Sequence, residues 1–442
     1  MEKKEILEVL EDWNFWTKQQ ETGVLRPEYA EEIARLAAIG QVVLISGVRR
    51  SGKSTLMRQY AKRLIDSGVD AKNVLYVNFE DVRFKELNLD LMQKIFETYA
   101  EFVRPTQSSK PFVFLDEVHK IKGWERFART LHELNKASLF ASGSTSRLLS
   151  KEFGSTLTGR HLDARVFPLD FKEFLAFKKV FPENKRKFGE LELISKKSVV
   201  KRLLNEYLEF GGLPLVCLTG DERGKKDLLA ACFEDVLSKD VIETRGVKRP
   251  VKLKGLAKFF LSNAGRRTSL NALSKFSGLS LNAVESYSRY LEEAFLVFFL
   301  KKFSYSVKEQ ERTIAVVYAA DNGLRSVLGF KFSEDAGWAL QNAVANLLLK
   351  KFGKENLFYW MNAQKEEVDF VVKQGKEVEQ LVQVCRSLGD FATRKRELRA
   401  LAKASEELRC RNLLVVTEDQ EGVDEFDGKK IKLVPLWKFL LE

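Results

Sequence analysis

Residues Gly47-Val48-Arg49-Arg50-Ser51-Gly52-Lys53-Ser54 read GxxxxGK[ST], and this octapeptide constrains the chain more than any other feature. It ends an apolar, β-branched run, Val42 to Gly47, and opens a helical pattern from Ser54 to Ser67. Strand, glycine-rich turn and helix in that order form a phosphate-binding loop. Glycines let the backbone wrap closely around a phosphate. The loop N–H groups and the helix N-terminus then face its negative charge. Lys53 is expected to bridge the β- and γ-phosphates, and the Ser54 hydroxyl to ligate Mg²⁺. The expected cofactors are ATP and Mg²⁺, contacted by Gly47 through Ser54 and by Thr55 behind them.

A second motif completes the chemistry. Phe112 to Glu117 is an apolar strand that ends in two carboxylates. Asp116 is expected to hold the Mg²⁺, and Glu117 to orient and polarise the attacking water. An acidic pair argues for hydrolysis over simple nucleotide binding. The strand Ser138 to Ser144 ends in polar residues; Ser142 suits a γ-phosphate sensor, with Ser144 and Thr145 as alternatives. Arg160, in Leu-Thr-Gly-Arg, is a candidate to reach the γ-phosphate of a neighbouring subunit. Arg223 and Arg245 are weaker candidates for a phosphate-reading arginine.

Further strand-like runs, Asn73 to Asp81 and Ala164 to Leu169, alternate with helical segments. That alternation predicts an α/β fold with a parallel sheet covered by helices on both faces, over residues 1–170. Residues 171–248 read as a helical lid broken by Gly-Gly-Leu-Pro at Gly211 to Pro214. In 249–330, three helical segments precede two apolar runs, Phe295 to Phe303 and Thr313 to Ala320, around the charged turn Lys-Glu-Gln-Glu-Arg. Three helices and a hairpin outline a winged helix-turn-helix. Its third helix offers Asn282, Ser286, Ser288 and Arg289 to a duplex, and Lys301, Lys302 and Lys308 sit along the wing. Glu285, Glu292 and Glu293 on the same helix would repel phosphate if they faced it. Residues 331–442 read as a separate α/β domain.

The net charge of +12 favours a polyanionic partner, with DNA the expected one. Four cysteines, Cys217, Cys232, Cys385 and Cys410, form no CxxC pair, and only three histidines accompany them. This argues against zinc and for a reducing cytoplasm. The longest apolar runs fall far short of the ~20 residues of a membrane helix, and the N-terminus lacks the apolar stretch of a signal peptide.

The order phosphate loop, Asp-Glu strand, Ala-Ser-Gly-Ser strand, Thr-Gly-Arg, Val-Phe-Pro-Leu-Asp-Phe-Lys-Glu-Phe-Leu and Gly-Gly-Leu-Pro resembles AAA+-related archaeal and bacterial ATPases. In these, a P-loop domain precedes a winged helix and a restriction-nuclease-like domain. The resemblance implies an acid on the first helix of the last domain, an Asp on one strand and an acid-x-Lys pair on the next. Here those positions hold Gln341, Asp369, and Gln383 with Cys385. A hard cation wants anionic oxygens, so the domain is expected to be nuclease-inactive. The chain is therefore expected to be an ATPase, possible as a homo-oligomer, that couples nucleotide state to DNA. The competing expectation is a nucleotide-switched protein-interaction module in stress or defence signalling.

Overall fold

The computed structural model describes all residues except 106–108, 144–156, 158, 184–188 and 329–334. The chain divides into two compact units, Met1–Phe167 and Pro168–Glu442.

The first unit is built on five strands: β1 (Val42–Gly47), β2 (Val74–Asn78), β3 (Phe112–Asp116), β4 (Ser138–Ser142) and β5 (His161–Val166). They pair in the order β2-β3-β4-β1-β5, all parallel. β1 is buried along its whole length, as a strand covered on both faces must be. Val43 and Ile45 pack beneath helices Pro27–Ala38 and Lys53–Asp66. Val42 and Leu44 face helices Lys3–Trp13, Leu89–Phe102 and Trp124–Glu133. Strand β2 lies at an edge. Asn14 covers it there, accepting from Tyr76 N–H at 2.7 Å and donating to Tyr76 C=O at 2.8 Å, which occupies an otherwise open ladder position. β5 starts three residues earlier than the sequence reading placed it, because its pairing with β1 begins at Val42↔His161. It stops before Pro168, which has no N–H to give.

The second unit opens with helix Phe171–Phe177, capped by Asp170 and Glu173 in a reciprocal capping box. Helices Lys197–Phe210, Pro214–Leu218 and Glu222–Asp235 follow, the last running on into a π-helical segment, Val236–Glu243. Gly211 and Gly212 sit against the loop Asp321–Gly323. Asp321 accepts from Gly212 N–H at 2.7 Å and Gly323 N–H at 2.8 Å. Gly211 has φ +74°, and a Cβ on it would lie 1.8 Å from Asp321 Oδ1, so only glycine fits. Asn322 links Leu208 C=O to Ala339 C=O and accepts from Asn342.

Helices Pro250–Ser262, Leu270–Ser277 and Leu281–Glu293 come next, the last two N-capped by Ser269 and Ser280. Strands β6 (Arg267–Thr268), β7 (Val297–Leu300) and β8 (Ala315–Ala319) form an antiparallel sheet in the order β6-β8-β7. The expected charged turn between the last two strands is instead a helix, Val307–Arg312. The segment after β7 pairs with the next sheet: Phe303 N–H donates to Tyr359 C=O at 2.7 Å, and Tyr359 N–H to Lys301 C=O at 3.1 Å.

The final sheet has strands β9 (Leu357–Met361), β10 (Glu367–Gln374), β11 (Glu377–Val384), β12 (Leu413–Thr417), β13 (Gly422–Phe426) and β14 (Lys429–Pro435), in the order β13-β14-β12-β11-β10-β9. Helix Phe391–Leu408 covers it with Leu398, Leu401 and Leu408. The β13–β14 hairpin went unread in the sequence, although Asp427-Gly428, both at positive φ, is a strong hairpin turn. No described helix is long and apolar enough to cross a membrane.

Candidate nucleotide site

Parallel strands collect their functional ends on one edge, outside the carboxyl termini. The register aligns Asn78 with Asp116, Leu115 with Ala141, and Ile45 with Ser142. The phosphate loop, Asp116, Glu117 and Ser142 therefore meet along the same edge. β4 lies between β1 and β3, so Ser142 falls between the loop and the acids.

The loop has the backbone that phosphate binding demands. Gly47 has φ +143°, and a Cβ there would lie 2.0 Å from Val166 C=O. Gly52, at φ +94°, caps helix Lys53–Asp66 without any side-chain cap, which leaves the helix N–H groups facing the loop. Arg50 also takes a left-handed conformation. Lys53 is buried and donates to Gly47 C=O at 3.1 Å and Val48 C=O at 3.0 Å. The buried Ser46 and Ser51 hydroxyls have no hydrogen-bond partner. An uncapped helix start, a cradle closed to any side chain and orphaned hydroxyls fit a bound phosphate chain. Ser54 and Thr55 follow in the first helical turn, half-buried.

Asp116 is buried and doubly held. Tyr76 O–H donates to Oδ2 at 2.6 Å, and the Ser142 hydroxyl donates to Oδ1. The same Tyr76 oxygen lies 3.5 Å from Ser54 C=O, which ties the first turn of helix Lys53–Asp66 to the acid. Burial raises the Tyr76 phenol well above its usual range, so it stays a donor. Glu117 takes φ +53°, a strained conformation for a residue with a side chain. Its N–H donates to Ser142 Oγ at 3.1 Å. Burial pushes its carboxyl up to about 7; Lys53 and Arg49 oppose the rise and Asp116 adds to it. His119 Nδ1 lies 3.4 Å from Glu117 Oε2, and burial pulls its imidazole down to about 4, so it is neutral. Tyr76 and His119 were missed in the sequence. A tyrosine inside the apolar run Val74 to Val77 was the available signal for the first.

The structure does not bring every candidate here. Arg160 precedes β5 and pairs with Glu133 at 3.1 Å; Val42 N–H donates to its carbonyl at the start of β1. It therefore lies at the opposite end of the strands from its own loop, roughly 17 Å away along β1. Ser144 and Thr145 lie outside the described residues. In the second unit, Arg223 is exposed on helix Glu222–Asp235, while Arg245 is ion-paired with Glu293 and stacked on Tyr290. Ser288, offered to a duplex by the sequence reading, is buried and donates to Val284 C=O at 2.7 Å. Lys301 and Lys302 are half-buried in the segment that joins β9. Glu292 is ion-paired with Lys354 and Glu293 with Arg245, so Glu285 is the acid of that helix left exposed.

The last domain has a cavity of about 470 Å³ lined by Gln341, Asp369, Gln383 and Glu397. Gln341 donates to Asp369 Oδ1 at 2.6 Å, and Val384 N–H donates to Oδ2 at 2.8 Å. Gln383 accepts from Asp369 N–H at 3.1 Å and donates to Glu397 at 2.5 Å. Burial raises the Asp369 carboxyl well above its ordinary range, and the Cys385 thiol to about 12.

A family model described as an AAA domain matches residues 40–175, and two models of domains of unknown function match 201–335 and 336–439. An uncharacterized protein of Methanocaldococcus jannaschii is 31% identical over 415 residues, covering 91% of this chain and 88% of its own length. An uncharacterized protein of Haemophilus influenzae is 29% identical over 363 residues, 80% of this chain and 85% of its own. Among solved structures, a Walker-type ATPase of Pyrococcus abyssi aligns over 70% of this chain and 96% of its own, with a TM-score of 0.45 and 14% identity. With its phosphate loop on a five-stranded parallel sheet and the M. jannaschii protein matching 91% of it at 31% identity, the chain belongs to the family of that protein, a family of AAA-type P-loop ATPases.

Proposed function

We propose that the chain is a Mg²⁺-dependent ATP hydrolase that couples its nucleotide state to DNA binding or remodelling. The observation that carries the hydrolase reading is the hydrogen-bonded set Tyr76, Asp116, Ser142 and Glu117 on the loop's own sheet edge. Lys53 and the loop N–H groups would hold the phosphates, and Ser54 with Asp116 the cation. Bound Mg²⁺-ATP supplies the phosphoanhydride and the charge that activates it. Glu117 orients a water and accepts its proton, a role suited to a carboxyl near neutral pH. Ser142 keeps both acids in register. Arg160 acts, in this reading, only on a second copy of the chain.

Three observations support DNA as the partner. The net charge is +12. The three helices and sheet β6-β8-β7 have the outline of a winged helix. Exposed Lys248, Arg249, Lys252, Lys258 and Lys275 lie on or beside its first two helices, displacing the expected contact from the wing to these helices. The 331–442 domain, with amides at 341 and 383, serves as a nuclease-inactive module in this reading.

The test is ATP turnover by the full chain with single-stranded, duplex and branched DNA at low and high salt. Stimulation that fades with salt supports DNA coupling, since phosphate contacts weaken steeply with salt. Turnover indifferent to every DNA favours the nucleotide-switched protein-interaction module instead. Absence of turnover under all conditions would overturn the hydrolase reading.

A further inference from the structure

The connection between the two units is held on both sides of one peptide bond. On the first side stands Arg26, buried at 3% exposure. Its Nη1 donates to Ser51 C=O in the phosphate loop at 2.9 Å, and its Nη2 to Phe167 C=O at 3.0 Å. The guanidinium lies 4.4 Å over the Tyr29 ring, and the Tyr29 hydroxyl accepts from Phe167 N–H at 3.0 Å. Gly47 is pressed against Val166, the residue before. On the second side, Leu169 N–H donates to Gly212 C=O at 2.7 Å and Tyr207 O–H to Leu169 C=O at 3.1 Å. Lys350 is ion-paired with Asp170 and Glu173. Phe167 and Pro168 stand between these two sets of contacts, and the proline ring fixes one of their torsions.

We propose that Arg26 is a positioning residue that couples the phosphate loop to this connection, and that the loop's response to nucleotide is read at Phe167. The inference rests on the reading that the loop binds ATP. A guanidinium is a rigid planar fork, so two carbonyls bound to one group cannot move independently. When the loop tightens on a phosphate, the Ser51 carbonyl is fixed. The same fork then fixes the Phe167 carbonyl, one residue before the chain leaves the unit. A lysine keeps the charge but has no fork to span both carbonyls.

The test compares the full-length protein with its Arg26→Lys and Arg26→Gln variants. Binding of Mg²⁺-ATPγS is measured by displacement of a fluorescent nucleotide. Amide hydrogen exchange is then followed in peptides covering residues 160–172, with and without the analogue. In the unsubstituted protein, the analogue should slow exchange at Phe167 roughly tenfold. Both variants should still bind it, Arg26→Lys roughly tenfold more weakly, yet lose most of that slowing. Should Arg26→Lys fail to fold, Arg26→Gln carries the test, because its shorter, neutral amide cannot span both carbonyls either. Slowing that persists in the variants, or binding by the unsubstituted protein without any slowing, overturns the coupling. Failure of the unsubstituted protein to bind the analogue sinks the ATP reading itself, and the coupling with it.

Discussion

The backbone N–H of Glu117 donates to the Ser142 hydroxyl at 3.1 Å, and that hydroxyl in turn donates to Asp116. A single side chain on β4 thus sets the position of both acids at the end of β3. Ser142→Ala should lower ATP turnover by roughly 100-fold, the scale of a misplaced catalytic group, while nucleotide affinity changes little. Steady-state kinetics alongside nucleotide binding check this. Unchanged turnover would remove Ser142 from the mechanism.

Glu117→Gln should keep ATP binding and lower turnover by at least roughly 100-fold, because the amide cannot accept the water's proton. Lys53→Ala should lose binding itself. Single-turnover assays separate the two. Persistent hydrolysis in Glu117→Gln would move the water-activating role to another group.

Gly211→Ala should destabilise the second unit severely, by more than about 3 kcal/mol. The new methyl would overlap the Asp321 carboxylate, and the backbone is at φ +74°. Chemical denaturation of the variant measures it; a midpoint equal to that of the parent protein would show that the Asp321 loop yields freely.

Asp321 gives a pH dependence. Burial raises its carboxyl from the usual range to about 6, opposed by the N–H groups of Gly212 and Gly323. The folded protein holds this proton more tightly than the unfolded chain. The contribution to stability is therefore full below about pH 4 and lost as pH rises through about 6, a change of about 3 kcal/mol. Asp321→Asn should flatten that part of the stability profile. It should also lower stability at pH 7 by about 1–3 kcal/mol, since one of the two N–H groups loses its acceptor. Urea midpoints from pH 4 to 7 for both proteins decide it.

In the last domain, Asp369→Ala should leave Gln341 and the Val384 N–H without acceptors and lower stability by about 1–3 kcal/mol. Neither form should cut DNA with Mg²⁺ or Mn²⁺. Cleavage that disappears in the variant would show an active nuclease.

Residues close together in the sequence carried most of the reading of the first unit. The phosphate loop, the β3 carboxylates and the buried strands depend on local composition: β-branched runs form covered parallel strands, and a glycine-rich turn at a helix start makes a phosphate cradle. Ser288 was misjudged because a helix pattern does not say which polar residue is turned inward.

What the sequence determined by itself was the phosphate loop, its acidic pair and the succession of strands and helices, because these rest on steric and hydrogen-bonding rules a few residues long. Only the tertiary structure decided that β2 flanks β3 opposite β4, which brings Tyr76 to Asp116 from one side and Ser142 from the other. It also decided that Arg26 reaches Ser51 and Phe167, that Arg160 lies at the far end of the sheet, and that the segment after β7 joins β9. Each of these depends on strand order and on contacts between residues distant in the chain, and local sequence places no constraint on such pairs.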